Sequence, residues 1–409
     1  MRTVLVTGPG GAGRTTVAAA TALAAARTGR RVLLLTSDRG PTPDAVLGTP
    51  LTPESGARGR APWAPPTEAA PGLWAARIAP GEHFRTLAGD LQQRGASVFD
   101  LLGASPLDPE ELTELPGAGQ LSLLAALRAA HADADRWQTL VVDMPPVHEA
   151  VALLALPEQL GRYLDRLLPP ERQAARALRP VLAQLARVPM PAQRLYETAA
   201  QWQQELAAVR QVIEAPGTTV RLVAEPGAVA TEALRTARAG LALHGCRIDS
   251  LVANRLLPDG SADPWLAGLA AEQQGAHKDL CEEFLADGVT VRELPHLGRS
   301  PRGAGDLALL ADRATLPPDG REPAEPWRVA DRLATDGMLT WHLPLPGARR
   351  EELGLVRRGD ELVLSVGPFR RVLPLPSALR RCSVSGAALR DGELCVRFVP
   401  DPDLWPRTS

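Results

Sequence analysis

Lysine is almost missing from this chain: Lys278 is the sole example in 409 residues, and arginine carries the remaining basic charge. An arginine standing where lysine is expected can therefore reflect a chain-wide bias as well as a local requirement. Net charge is also close to nil, at −2, so there is no global pull toward nucleic acid or an anionic membrane. The four cysteines, Cys246, Cys281, Cys382 and Cys395, form no CxxC pair and show no metal-ligand spacing. Zinc is therefore not expected. Scattered thiols suit a reducing cytoplasm, where a free cysteine behaves as a small buried hydrophobe, and Cys246 and Cys281 read most simply as core. No run of about 18 uncharged apolar residues occurs, so no segment is expected to span a membrane. Met1 leads straight into the strand pattern Arg2–Thr7, so no signal peptide is expected. A long-period internal repeat is absent too, which excludes a solenoid.

What is present is a globular composition, 45% hydrophobic and 22% charged, in a chain long enough for two or three domains. Apolar runs alternate with amphipathic helices through residue 312, the mark of an α/β fold with a parallel sheet. The expected strands are Val4–Thr7, Val32–Thr36, Leu73–Ile78, Thr139–Asp143, Val220–Ala224, Ile248–Ala253 and Val289–Leu294. Pro41 to Pro71, rich in Pro and Gly, reads as a surface loop. Two helix-rich segments, about 95–135 and 156–215, break the alternation and form an insertion at one edge of the sheet. The second is expected to break at Pro169-Pro170, at Pro180 and between Pro189 and Pro191. A linker at 313–328 is followed by short strands bounded by Gly, Pro and Asp, which predict an all-β sandwich over 329–409.

Gly8-Pro9-Gly10-Gly11-Ala12-Gly13-Arg14-Thr15-Thr16 follows the first strand and opens a helix, with the spacing of GxxxxGK[ST] except that Arg14 replaces lysine. Gly8, Gly10, Gly11 and Gly13 would let backbone amides converge on phosphate oxygens, and the helix N-terminus adds partial positive charge. Thr15 stands where a hydroxyl binds Mg2+, and Thr16 follows along the phosphate. Asp143 ends an apolar strand, where P-loop proteins keep a carboxylate for the Mg2+ shell. Asp38 ends the second strand; it reads equally well as an orienter of attacking water or as a turn-forming residue. The expected cofactors are ATP and Mg2+.

These pieces resemble the ArsA-type ATPases, the arsenite-pump and tail-anchored-protein targeting enzymes. Their P-loop, G-K-G-G-x-G-K-T-T, compares with G-P-G-G-A-G-R-T-T here. Thr36-Ser37-Asp38 matches the first switch, although Arg39-Gly40-Pro41 replaces the family's Pro-Ala-His. Asp143-Met144-Pro145-Pro146-Val147-His148 resembles the second switch, and Leu153-Leu154-Ala155-Leu156-Pro157 continues the match. Pro116-Gly117 matches an element that normally carries acidic residues next, where this chain has Gly119 and Gln120. Leu251–Arg255 matches a strand end whose asparagine, here Asn254, contacts the purine base, and Val289–Pro295 resembles the last strand. The C-terminal segments Leu343–Gly347, Gly359–Val366, Arg371–Pro376 and Ala387–Leu394 resemble a small heat-shock protein (α-crystallin) domain.

The resemblance implies a dimer closing over two nucleotides, with a helical groove for an apolar transmembrane segment. The leucines of the insertion (Leu153, Leu154, Leu156, Leu160, Leu164, Leu167, Leu168, Leu182, Leu185 and Leu206), with Val188, Val209, Val212 and Ile213, serve such a groove or ordinary helix packing. Trp202 reads as groove or core. The family's cross-dimer lysine is replaced by Pro9, which can donate nothing. Arg14 keeps the charge of the second lysine, but its planar fork fits a phosphate-wrapped position poorly. Low or absent hydrolysis is therefore expected. Three readings follow: a nucleotide-gated binder of hydrophobic helices or membrane-protein clients, a regulatory subunit paired with a lysine-bearing homologue, and, less favoured, an arsenite-pump ATPase.

Overall fold

The seven expected runs become strands of one sheet, and those at its centre are buried along their whole length, as strands covered on both faces and apolar nearly throughout should be. The computed structural model describes residues 1–56, 61–102, 105–168, 191–316 and 327–405. In it the strands are β1 (Arg2–Thr7), β2 (Val32–Thr36), β3 (Thr67–Ala70), β4 (Leu73–Arg77), β5 (Thr139–Asp143), β6 (Thr218–Ala224), β7 (Ile248–Leu256) and β8 (Thr290–Pro295). Their spatial order is β3-β4-β2-β5-β1-β6-β7-β8, parallel except for the β3–β4 pair. The central strand β1 lies between β5 and β6, so the loops leaving β1, β2 and β5 open at the same end of the sheet. Helix α1 (Arg14–Arg27) lies on this centre, burying Ala18, Ala19, Ala20, Ala22, Ala24, Ala25 and Ala26. Alanine is both the best helix former and small enough to let the helix sit low on the sheet.

The expected surface loop Pro41–Pro71 needs correction. It contains helix α2 (Thr42–Leu47) and the edge strand β3, and it buries Leu47, Leu51, Trp63 and Ala64; residues 57–60 lie outside the described residues. Pro43 sits in the first turn of α2 and Gly48 adopts the left-handed conformation at its C-terminal end. Pro and Gly mark helix ends as readily as loops, which is why the helix was not legible.

The helical region comprises α3 (Pro80–Leu102), α4 (Ala118–Ala132), α5 (Val147–Leu167) and α6 (Pro191–Glu214). Helix α5 starts within the second switch, at Val147, and continues through Pro157. The expected breaks at Pro169-Pro170, Pro180 and Pro189 lie outside the described residues, as do Leu182, Leu185 and Val188, while Pro191 opens α6. Leu153, Leu154, Leu206, Val209 and Val212 are buried core, whereas Leu167 is exposed. Trp202 is exposed rather than core. Helices α7 (Ala228–Leu243), α8 (Pro264–Ala286) and α9 (Gly303–Ala311) complete the layers.

Residues 317–326, most of the expected linker, lie outside the described residues. Beyond them come β9 (Arg328–Arg332), α10 (Leu333–Asp336), β10 (Met338–Pro344), β11 (Leu353–Arg358), β12 (Glu361–Val366), β13 (Phe369–Pro374), α11 (Ser377–Arg380), β14 (Cys382–Arg390) and β15 (Glu393–Pro400). They form two antiparallel sheets, β14-β15-β10-β9 and β11-β12-β13. Strand alternation points Leu339, Trp341, Leu343, Leu394, Val396 and Phe398 inward, to share a core with Leu362, Leu364 and Leu373.

The sandwich docks on α5 and α7. Gly240 of α7 leaves room for Phe369, since a Cβ there would lie 2.5 Å from the ring, and the same ring stacks on His148 at 6.3 Å. Polar contacts rim this patch: Arg235 to Glu352 at 2.7 Å, Arg349 to Glu232 at 2.9 Å and Arg371 to Glu158 at 3.0 Å.

Candidate functional site

The glycines of the loop between β1 and α1 serve two purposes. A Cβ on Gly8 would lie 1.9 Å from the Val223 carbonyl oxygen of β6, and one on Gly13 would lie 2.4 Å from Asn254 Nδ2 of β7. These two allow the loop to press against the sheet. Gly10 and Gly11 instead face open space, with nothing within 4 Å of an added Cβ. Gly11 and Gly13 hold φ of 78° and 87°, a region that other residues enter only with strain. No side chain caps α1, so its first-turn amides stand at the mouth of the loop as donors for an anion.

Thr15 and Asp143, far apart in sequence, meet beside this mouth. The Thr15 hydroxyl donates to Asp143 Oδ2 at 2.8 Å, and the Thr36 hydroxyl donates to the same oxygen at 2.9 Å. Burial raises the Asp143 carboxyl to about 6, against the opposing effects of the two hydroxyls and of Arg14's charge; Asp38 adds to the rise. A cation bound beside it would favour the ionised form. The donor set of hydroxyl, carboxylate and uncapped amides fits Mg2+ with a polyphosphate: Thr15 and Asp143 would hold the cation and the Gly10–Thr16 backbone the phosphates.

Arg14 does not point freely into the loop, because its Nη1 donates to the Met144 carbonyl at 2.7 Å. It thereby ties the P-loop to the second switch, a role the sequence did not reveal. Asp38 accepts from the Gly40 amide at 2.7 Å. The turn-forming role is thus present, and the carboxylate is not hydrogen-bonded to the Thr15–Asp143 pair. Asn254 donates to the Ala12 carbonyl at 2.8 Å and is buried. It also lines a cavity of about 620 Å³ with Thr16, Pro295, His296, Arg299 and Arg302.

Four side chains went unread in the sequence as contributors to the site. Thr36 was noted only as part of a motif. Arg77, a charge ending an apolar strand, is buried and donates to the Asp38 carbonyl at 2.7 Å, the Gly40 carbonyl at 3.0 Å and Asp44 at 2.8 Å, fixing the first switch from below. Its position in a buried strand was the available signal. Arg255, with φ of 59°, donates to the Gly11 carbonyl at 2.9 Å. Arg39, where the family pattern has proline, pairs with Glu54 at 2.9 Å and with Glu114.

The family model described as anion-transporting ATPase matches residues 1–314. This chain belongs to the ArsA ATPase family. A second model, an HSP20-like domain found in ArsA proteins, matches residues 336–398. Among its relatives, an uncharacterized protein of Streptomyces coelicolor is 58% identical over 100% of both chains. A Mycobacterium tuberculosis protein is 32% identical over 99% of this chain and 97% of its own. An Aquifex aeolicus protein named "Putative arsenical pump-driving ATPase 1" is 23% identical over 97% of this chain and 99% of its own. ArsA ATPases as a family use ATP and Mg2+, in agreement with the fit of Thr15 and Asp143. Among the described residues no helix is long and apolar enough to cross a membrane.

Proposed function

We propose that this protein is a nucleotide-gated binder of hydrophobic helices with weak or lost ATP hydrolysis. The observation that carries the reading is the fate of the P-loop cations. Pro9 supplies no side-chain donor, and the Arg14 guanidinium is engaged by the Met144 carbonyl at 2.7 Å, while the glycine cradle and the Thr15–Asp143 pair remain intact. Binding rests on backbone amides and hydroxyls, which are present. Acceleration rests on cationic charge at the transferred phosphoryl group, which is diminished. Asp38 would position the attacking water once its turn to Gly40 opens. Asn254 would adjoin the base from its place in the cavity wall.

The client reading draws on apolar side chains exposed on the helical region: Leu87 and Leu91 on α3, Tyr163 and Leu167 on α5, and Trp202 on α6. Exposed apolar side chains on the helices of one region suit an amphipathic or transmembrane segment. Nucleotide would set open against closed geometry in a homo- or heterodimer.

Calorimetry with Mg-ATP, comparing wild type with Gly13→Val, tests binding; equal affinities would remove the loop as the site. Phosphate release tests catalysis. Pro9→Lys/Arg14→Lys should gain on the order of 10³-fold over wild type, the lower end of what a comparable cationic group is worth. Robust Mg-dependent turnover by the wild type would overturn the low-activity reading.

Pro9 favours a second reading, a regulatory subunit paired with a homologue that retains both lysines. Co-purification of such a homologue, with turnover only in the pair, would select it. A metalloid pump is disfavoured by the cysteines' places: Cys246 precedes β7, Cys281 lies on α8, Cys382 on β14 and Cys395 on β15.

A further inference from the structure

We propose that His342, Glu393 and Cys395 form a transition-metal site of the zinc class on the outer face of the β-sandwich. His342 on β10 pairs directly with Cys395 on β15, and Glu393 lies two residues before Cys395 on the same face. Because side chains alternate, these three point away from the core filled by Trp341, Leu343, Leu394 and Val396. Antiparallel pairing therefore brings the His342 imidazole to one spot with a carboxylate and a thiol that lie 51 and 53 positions along the chain.

Their ligand atoms all lie within 4.8 Å of one another. The separations are 3.0 Å from His342 Nδ1 to Glu393 Oε2, 3.5 Å from Cys395 Sγ to His342 Nδ1, and 3.7 Å from Cys395 Sγ to Glu393 Oε2. Ligands at ordinary zinc bond lengths sit roughly 3.5 Å apart around a tetrahedron. An ion would thus enter with small side-chain adjustments and no backbone movement. All three groups are half-buried, which leaves a fourth position open to water. Mixed N, S and O ligation favours Zn2+ or Co2+ over Mg2+ or Ca2+. A thiolate and a carboxylate would balance the dication, the thiol giving up its proton on binding.

The pair Cys281–His277 on α8, at 3.3 Å, provides the internal comparison. Glu293 reaches His277 there at 3.4 Å, yet among the described residues only the sandwich trio brings three ligand atoms together.

The test uses the full chain, chelator-treated and free of nucleotide, titrated with Co2+ and with Zn2+ against a chromogenic competitor. One equivalent should bind, with a thiolate-to-cobalt charge-transfer band. Cys395→Ser should lose the band, and His342→Ala should weaken zinc at least about tenfold, since even groups supporting metal ligands are worth 10 to 100-fold. Cys281→Ser should behave as wild type. Failure of wild type to bind, a band surviving in Cys395→Ser, or a band lost in Cys281→Ser would each overturn the proposal. Circular dichroism of each variant separates loss of the site from loss of the fold.

Discussion

Arg221 is a fully buried guanidinium in the middle of the parallel sheet, and replacing it should be among the costliest single changes in the N-terminal domain. Its Nη2 meets Asp249 at 3.1 Å and its Nε meets the same carboxylate at 3.3 Å. Nη1 donates to Thr21 at 3.0 Å and to the Ala314 carbonyl at 2.8 Å, and Nη2 reaches the Thr315 carbonyl at 3.2 Å. In Arg221→Met the volume is roughly kept, but Asp249 loses its main counterion and two chain-exit carbonyls lose their donor. Arg2, at 3.8 Å from Asp249, compensates only in part. Breaking a buried pair from one side costs about 3–5 kcal/mol. In a domain of this size that lowers the melting temperature by on the order of 10 °C. Arg221→Met/Asp249→Leu removes both charges and should recover much of the loss, because the penalty lies in the orphaned carboxylate. Calorimetric melts of wild type, both single variants and the double variant close the cycle. A single variant within about 1 kcal/mol of wild type, or strictly additive losses, would refute the reasoning.

Further outcomes follow from the same structure. Gly240→Leu drives a side chain into Phe369 and Val151, at 2.5 and 2.9 Å from the added Cβ. It should loosen sandwich docking by about 1–3 kcal/mol, seen as faster proteolytic release of the C-terminal domain. Gly8→Ala places Cβ 1.9 Å from a backbone oxygen and should lower the melting temperature, whereas Gly10→Ala, facing open space, should leave it unchanged. The Asp143 carboxyl is raised from 3.8 to about 6 in the nucleotide-free protein, so the folded state holds its proton more tightly than the unfolded chain. Its contribution to stability is complete below pH 3.8 and is lost as pH rises through 6. At about 1.4 kcal/mol per unit, Asp143→Asn should gain on the order of 3 kcal/mol on wild type between pH 4 and pH 7, measured by urea unfolding. A flat difference across that range would contradict the assignment.

Legibility followed locality. The β1–loop–α1 unit was readable because strand, glycines and helix are contiguous, and Thr15 and Asp143 because their chemistry recurs at fixed places relative to strand ends. Arg14 was legible as the charge standing in for lysine, but its Met144 carbonyl partner is set by the approach of β5, which the sequence does not show. Arg77 and Arg221 were anomalies of pattern, charges inside apolar strands, whose partners only the three-dimensional arrangement supplies. Strand β3 escaped because a short edge strand with a register irregularity has little periodicity to detect. His342 and Cys395 escaped for a related reason: the spacing that matters between them runs across strands.

Helix α5 begins at the nucleotide end, where the Val147 amide donates to the Gly8 carbonyl at 3.0 Å. One residue later His148 lies against Phe369, and farther along Glu158 holds Arg371. The helix is therefore a shaft with the P-loop on its first turn and the sandwich bolted along its side. The sandwich is thereby joined to the second switch through α5, while the Arg235–Glu352 and Arg349–Glu232 pairs hold it to α7 as well, so a tilt of α5 at Asp143–Val147 would strain the β domain's seat between the two helices. A pair of fluorophores on the two domains would record the state of the phosphate site at a distance.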